Sequence, residues 1–152
     1  MAVYGNNGQQ TINPGESVIF TVTIAPPQSN NVHHSNGTGN VLLSGSGNRK
    51  SRNCCCMRKI ASYDVDFGAN IAVPTGQTVG EISVALAIDG ATIPGTIMRS
   101  TPGAVEEFNA VSKSMTVPVW IGCCQTVTVR NTSNIPITMD SPLLKVSDYP
   151  VN

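Results

Sequence analysis

The chain has 152 residues, 40% of them hydrophobic but only 5% aromatic and 12% charged, and nine Lys and Arg balance nine Asp and Glu for a formal net charge of zero. That length suits one domain, residues 1–152, with a core of its own, and the neutral balance argues against duplex nucleic acid or an anionic membrane as a bulk electrostatic partner. Soluble proteins carry about 25% charged residues, so something other than ions is expected to cover part of this surface.

Short, β-branched, alternating runs punctuated by Gly, Pro and Asn dominate, which predicts an all-β domain. In chain order, strands are expected at residues 11–12, 17–24, 40–44, 61–73, 81–89, 111–119, 126–131, 135–139 and 143–147. So many strands in one domain imply two packed sheets, an antiparallel β-sandwich. Turns are expected at Asn13-Pro14-Gly15, Pro74-Thr75-Gly76, Asp89-Gly90, Thr101-Pro102-Gly103 and Asn134-Ile135-Pro136, where fixed φ, permitted positive φ or Asx hydrogen bonds favour them. One or two helical turns are expected within 102–111, where Ala104, Val105, Phe108 and Val111 approximate a helical stripe. In the 81–89 strand, Ile82, Val84, Leu86 and Ile88 point one way and the small Ser83, Ala85 and Ala87 the other, so both faces are expected to be covered, the second by another sheet or subunit.

No acidic residue lies between Glu16 and Asp64, yet Arg49, Lys50, Arg52, Arg58 and Lys59 supply five of the nine positive charges. Residues 26–53 are rich in Gly, Ser and Asn and read as a long polar, locally basic loop region around one short strand. Five cysteines fall in two clusters, Cys54-Cys55-Cys56 and Cys123-Cys124, so at least one thiol is left for a free, intermolecular or metal-bound state. Neither cluster has Cys-x-x-Cys spacing, because neighbours on an extended backbone point to opposite faces, which weakens both metal and redox readings. No run approaches about eighteen apolar residues, and Met1 to Gln10 has no signal-peptide pattern, so a soluble product made in the cytoplasm is expected.

The run Tyr63-Asp64-Val65-Asp66-Phe67-Gly68-Ala69-Asn70-Ile71, with Pro74-Thr75-Gly76, Val79-Gly80, Ser83-Val84-Ala85-Leu86-Ala87-Ile88-Asp89-Gly90, Pro94-Gly95 and the strand Thr126 to Ser133, resembles the tumour necrosis factor and complement globular-head superfamily. More narrowly, the whole chain is similar to small jelly-roll proteins of bacteriophages and prophages of Gram-positive gut bacteria, through Met-Ala-Val-Tyr-Gly-Asn-Asn at its start, Ile-Ala-Val-Pro-Thr-Gly, Ala104-Val105-Glu106-Glu107-Phe108 and Gly122-Cys123-Cys124. The likeness is weakest from Pro26 to Asn53. It implies a jelly roll that forms a homotrimer around a threefold axis, with interface candidates Tyr63, Val65, Phe67, Ala85, Ala87 and Trp120 and the basic loop meeting a partner. It also sets the strand of Tyr63 to Phe67 antiparallel to that of Val111 to Val119. The two cysteine clusters would then meet at one end, within reach of a disulfide inside or between subunits.

Catalytic chemistry finds little support. His33-His34 are the only histidines and sit in a polar loop far in sequence from any carboxylate that could orient them. Asp64 and Asp66 share a strand face and could hold calcium or act as an acid and base pair, but fit the wet or interface side of a sheet better. Glu106-Glu107 are expected to cap the helical turn, and Trp120 to plug a core or an interface. The basic loop lacks aromatics for stacking bases. Asn36-Gly37-Thr38 and Asn131-Thr132-Ser133 match the glycosylation pattern, which carries little meaning without a secretory signal. The expected function is a non-enzymatic structural protein of a phage virion, a capsid decoration or fibre component. Its partners would be further copies of itself and other virion or surface proteins, with no membrane, nucleic acid or cofactor. A cysteine-linked filament subunit on a bacterial or spore surface and a trimeric glycan or host-surface binding module are the alternatives.

Overall fold

The computed structural model describes residues 1–45 and 60–149. The first part holds β1 (Ala2–Gly5), β2 (Gln9–Ile12), β3 (Val22–Ala25), β4 (Val32–His34) and β5 (Val41–Ser44). The second holds β6 (Ile60–Ala72), β7 (Ile82–Ile88), β8 (Ala91–Thr92), β9 (Met98–Ser100), β10 (Asn109–Trp120), β11 (Cys124–Asn131) and β12 (Ile137–Tyr149). One sheet runs β10-β6-β12-β1-β3 with β2 beside β12, and the other runs β4-β5-β11-β7-β8 with β9 beside β7. The pairings are antiparallel, so this is the two-sheet sandwich the alternation predicted.

Strand β6 shows how sequence becomes packing. Tyr63, Val65, Phe67, Ala69 and Ile71 point inward and are buried, while Ser62, Asp64, Asp66, Gly68 and Asn70 alternate with them on the half-buried outer face. Facing them across the core stand Val41, Leu43, Val84, Leu86, Val127 and Val129 of the second sheet. Each such aliphatic side chain contributes about 1.5–3 kcal/mol by leaving water, so the interleaved faces are the main stabilising term.

The run at 17–24, predicted as one strand, instead changes sheets. Val18 donates its N–H to the Val129 carbonyl of the second sheet, whereas Thr21 donates to Gly5 of the first. Val18 and Phe20 are both fully buried, so an alternating pattern survives although the hydrogen-bond partners switch. The two strands predicted at 135–139 and 143–147 are one, β12, with a bulge between Asp140 and Leu143 that absorbs Pro142, which has no N–H to give, and Ser141 at φ 50°. Strands β1, β4, β8 and β9 went unpredicted because two to four residues are too few to show a period.

No helix forms at 102–111. Residues 102–108 form an irregular turn in which Glu106 takes a left-handed conformation (φ 58°) and its N–H bonds the Val73 carbonyl at 2.8 Å, and from Asn109 on the chain already belongs to β10. Among the described residues the helical element is the short 3-10 turn Pro94–Thr96. A ten-residue stripe is too short to hold a helix when turn and sheet partners compete for its backbone.

At one end of the first sheet, Asp148 accepts hydrogen bonds from the Ser29 hydroxyl at 2.8 Å and from the Met1 amine at 3.1 Å. The Ser29 bond is the main reason its carboxyl titrates below its ordinary 3.8; partial burial opposes that shift and the amine adds to it. A carboxyl with a depressed folded pKa stabilises the fold above its unfolded value and loses that contribution as pH falls through the folded one. D148N should therefore cost about 1 kcal/mol at neutral pH. The gap between variant and wild type should close as urea titrations are repeated below pH 3.8, and a gap unchanged down to pH 2 would refute the assignment.

Candidate functional site

The outer face of the first sheet is the surface least committed to the chain itself. In the row where Leu143 pairs with Gly68 of β6 and Gly5 of β1, the two flanking positions have no side chain, and Leu143 stands 42% exposed between them. Beyond Gly5, Ile24 of β3 is 57% exposed, and a Cβ on Gly5 would lie 3.0 Å from its Cδ1. Toward the other end the face turns polar. Asp66 pairs with Lys145 at 3.3 Å and Asp64 accepts the Thr116 hydroxyl at 2.6 Å, so both aspartates serve cross-strand contacts on the outside of the sheet. Among the described residues no group of three or more His, Cys, Asp or Glu is placed to hold a metal ion.

A second feature lies where β10 turns into β11. Trp120 is 44% exposed at the end of β10, Ile121 and Ile60 are exposed near it, and Cys123 and Cys124 are exposed free thiols. The expected neighbourhood of strands holds: β10 pairs antiparallel with β6 from Asn109 opposite Ile71 to Trp120 opposite Ile60. Cys54, Cys55 and Cys56 lie outside the described residues, as do Arg49, Lys50, Arg52, Arg58 and Lys59 of the basic loop.

Of the six interface candidates, Trp120 alone is exposed. Tyr63, Val65 and Phe67 face the chain's own core, and the Tyr63 hydroxyl donates to the Ser44 carbonyl. Burial raises the pKa of that phenol and the Asp148 charge raises it further. Inward alternation, which marked them as apolar, also removes them from any surface a second chain could touch. Ala85 and Ala87 are on the opposite face of β7 from the core, as expected, and are fully buried, but the cover comes from within the chain. Arg130, in register with Ala85, donates from Nη1 to the Gly90 carbonyl at 2.8 Å. That reach carries its stem past the level of Ala87 and Thr128, and small side chains there leave room for it.

The histidines are less solvated than the loop reading implied. His34 belongs to β4, its Nδ1 lies 2.9 Å from the Asn40 carbonyl and its Nε2 3.1 Å from that of Phe20, and its ring packs tilted by 52° against Tyr4 at 4.6 Å between centroids. The ring is a structural tie between the two sheets' edges, while His33 beside it is exposed. Glu106 and Glu107 cap turns rather than a helix: Glu106 accepts the Thr75 N–H at 3.0 Å, and Glu107 the Gly103 N–H at 3.1 Å. Asn131 is buried and its amide donates to the Ile12 and Ile135 carbonyls, so its glycosylation motif is closed in the folded chain.

Sequence reasoning missed one concavity, an open groove of about 310 Å³ bounded by Gln9, Gln10 and Thr11 on one side, Pro74, Thr75 and Glu106 on the other, and Thr138. Its members come from four separate stretches of chain, and no motif links them.

No protein-family model matches the sequence, and no curated protein matches it significantly. Solved structures do. The globular domain of zebrafish complement 1qA protein superposes with a TM-score of 0.60 at 9% identity, covering 99% of this chain and 98% of that one. The Eiger TNF of S. frugiperda gives a TM-score of 0.63 at 15% identity over 99% of this chain and 92% of its own. With strand order, register and these full-length superpositions together, the chain has the jelly-roll fold of tumour necrosis factor and complement globular heads.

Proposed function

We propose that this protein is a non-enzymatic, self-associating structural module, a trimeric building block of a bacteriophage virion that is made in the bacterial cytoplasm. The observation that carries the reading is the exposed Leu143 and Ile24 flanked by Gly5 and Gly68 in the middle of an otherwise well-paired sheet face. An isolated chain leaves this row wet, and a second copy seated against it removes apolar area from water at about 25 cal/mol per Å². The 12% charged composition fits a molecule that hides part of its surface in an assembly. Closed cyclic symmetry leaves no such patch open, which suits a particle component that must stop growing at a set number of copies. The virion assignment rests on the sequence likeness to phage and prophage jelly rolls.

Light scattering with and without reductant tests it. A mass near three chains, insensitive to reductant, is the expected result, and L143E combined with I24E should reduce it to one chain while the far-ultraviolet spectrum stays the same. A monomeric wild type refutes self-association. Polymers that dissolve in reductant would instead favour a filament linked through Cys123 or Cys124, which are exposed and free.

A further inference from the structure

The groove beside Thr138 is unassigned by anything above, and its chemistry is specific. Ile137 and Met139 point into the core, so Thr138 points outward, yet it is only 6% exposed. Ala72, opposite Thr138 in register, is also fully buried although it too faces outward. Both lie low between β2 and the turns that follow β6 and β9. Among the described residues, the side chains of Gln9, Thr11 and Thr138 make no hydrogen bond. Gln10 differs: its Oε1 accepts the Ile19 N–H and its Nε2 donates to the Ile19 carbonyl, both at 3.0 Å, so it braces the wall.

On the other side, Glu106 is held in a left-handed conformation that costs a non-glycine residue about 1–2 kcal/mol. Its Oε1 takes the Thr75 N–H and hydroxyl at 3.0 and 3.3 Å, which fixes the carboxylate and leaves Oε2 without a partner. The free inventory is then two hydroxyls, one carboxamide and one carboxylate oxygen, with no cation and no aromatic ring.

We propose that this groove binds a neutral carbohydrate, seating one sugar unit by its hydroxyls. An anion finds no positive charge here, and an apolar ligand finds only Pro74. A metal ion finds one carboxylate and no second charged ligand. An ammonium group donates without accepting, so it cannot take the hydrogens that the Gln9 NH₂ and the threonine hydroxyls offer. A sugar hydroxyl both donates and accepts, and so can satisfy the amide, the two threonines and Glu106 Oε2 at once. The volume lies at the low end for small-molecule sites, which suits one terminal residue of a glycan more than an enclosed chain. The site shares no residue with the Leu143 row, so the sugar contacts are argued without self-association.

An amide NMR titration of the full chain tests it, using methyl α-glucoside, methyl α-mannoside, methyl β-galactoside and N-acetylglucosamine up to the millimolar range, with butylamine as the competing chemistry. At least one sugar should give saturable shifts confined to Gln9, Thr11, Thr75, Glu106 and Thr138. T138V should weaken that sugar about tenfold with the remaining amides unmoved. E106G suits the left-handed backbone, so it should fold as well as the wild type and lose sugar binding. Silence with every sugar, butylamine alone saturating these amides, or full-strength sugar binding by E106G would each overturn the proposal.

Discussion

V65D should fail to fold at any protein concentration. Val65 is fully buried at the centre of β6, in register with Met115 on one side and Val146 on the other, and every inward neighbour along its strand is apolar. A carboxylate there has no donor to meet it, and leaving a polar or charged group unpaired in such a place costs several kcal/mol, a large share of the ~5–15 kcal/mol that holds a domain together. The distinction matters for function. If the Tyr63 to Phe67 side chains formed a subunit contact, V65D would yield a folded monomer; as core residues, they take the fold with them. Circular dichroism and solution mass on the same sample separate the two, and a folded, monomeric V65D would overturn the core assignment.

G45A should cost about 3 kcal/mol, enough to lower the thermal midpoint by roughly 6–12 °C in a chain of this size. A Cβ on Gly45 would lie 2.1 Å from the Trp120 carbonyl oxygen and 2.6 Å from its carbon. Those are backbone atoms, so no side-chain rotation relieves the overlap. Nor can the strands part freely, since Gly45 donates to the Cys123 carbonyl at 2.9 Å and accepts from the Gly122 N–H at 3.0 Å. This knot fixes the end of β5 against the β10–β11 turn and so positions Trp120 and the two exposed thiols. The comparison is G76A. Gly76 has a positive φ of 92° but nothing within 4 Å of its missing Cβ, so only backbone strain of about 1–2 kcal/mol is expected. If the two variants melt together, the close approach at Gly45 is not what requires glycine there.

The effects expected at Gly45, Leu143 and Thr138 arise from chain segments far apart in sequence, which is why none of these positions stands out in the sequence itself. The local signals were strong where the physics is local. The alternation of Tyr63, Val65, Phe67, Ala69 and Ile71 identifies a half-buried strand because neighbouring side chains must leave the backbone on opposite faces. Asp89-Gly90 reads as a tight turn, and both residues do take positive φ, 50° and 83°. Pro74-Thr75-Gly76 and Asn13-Pro14-Gly15 likewise end on glycines at positive φ.

What the sequence by itself determined is therefore the sandwich: where its longer strands run, which of their side chains turn inward, and where several of the tight turns fall. Only the tertiary structure decided which sheet each run joins and what lies over its other face. Residues 17–24 alternate correctly and still divide between two sheets, because pairing partners are set by distant strands competing for the same backbone groups. Ala85 and Ala87 announce a covered face, but whether a second subunit or the chain itself covers it depends on segments far away in sequence. The helical stripe at 104–111 gave way to a strained Glu106 because the Val73 carbonyl and Thr75 offered better partners than a single isolated turn. Periodicity records which way a side chain points, and only long-range packing determines what it meets there.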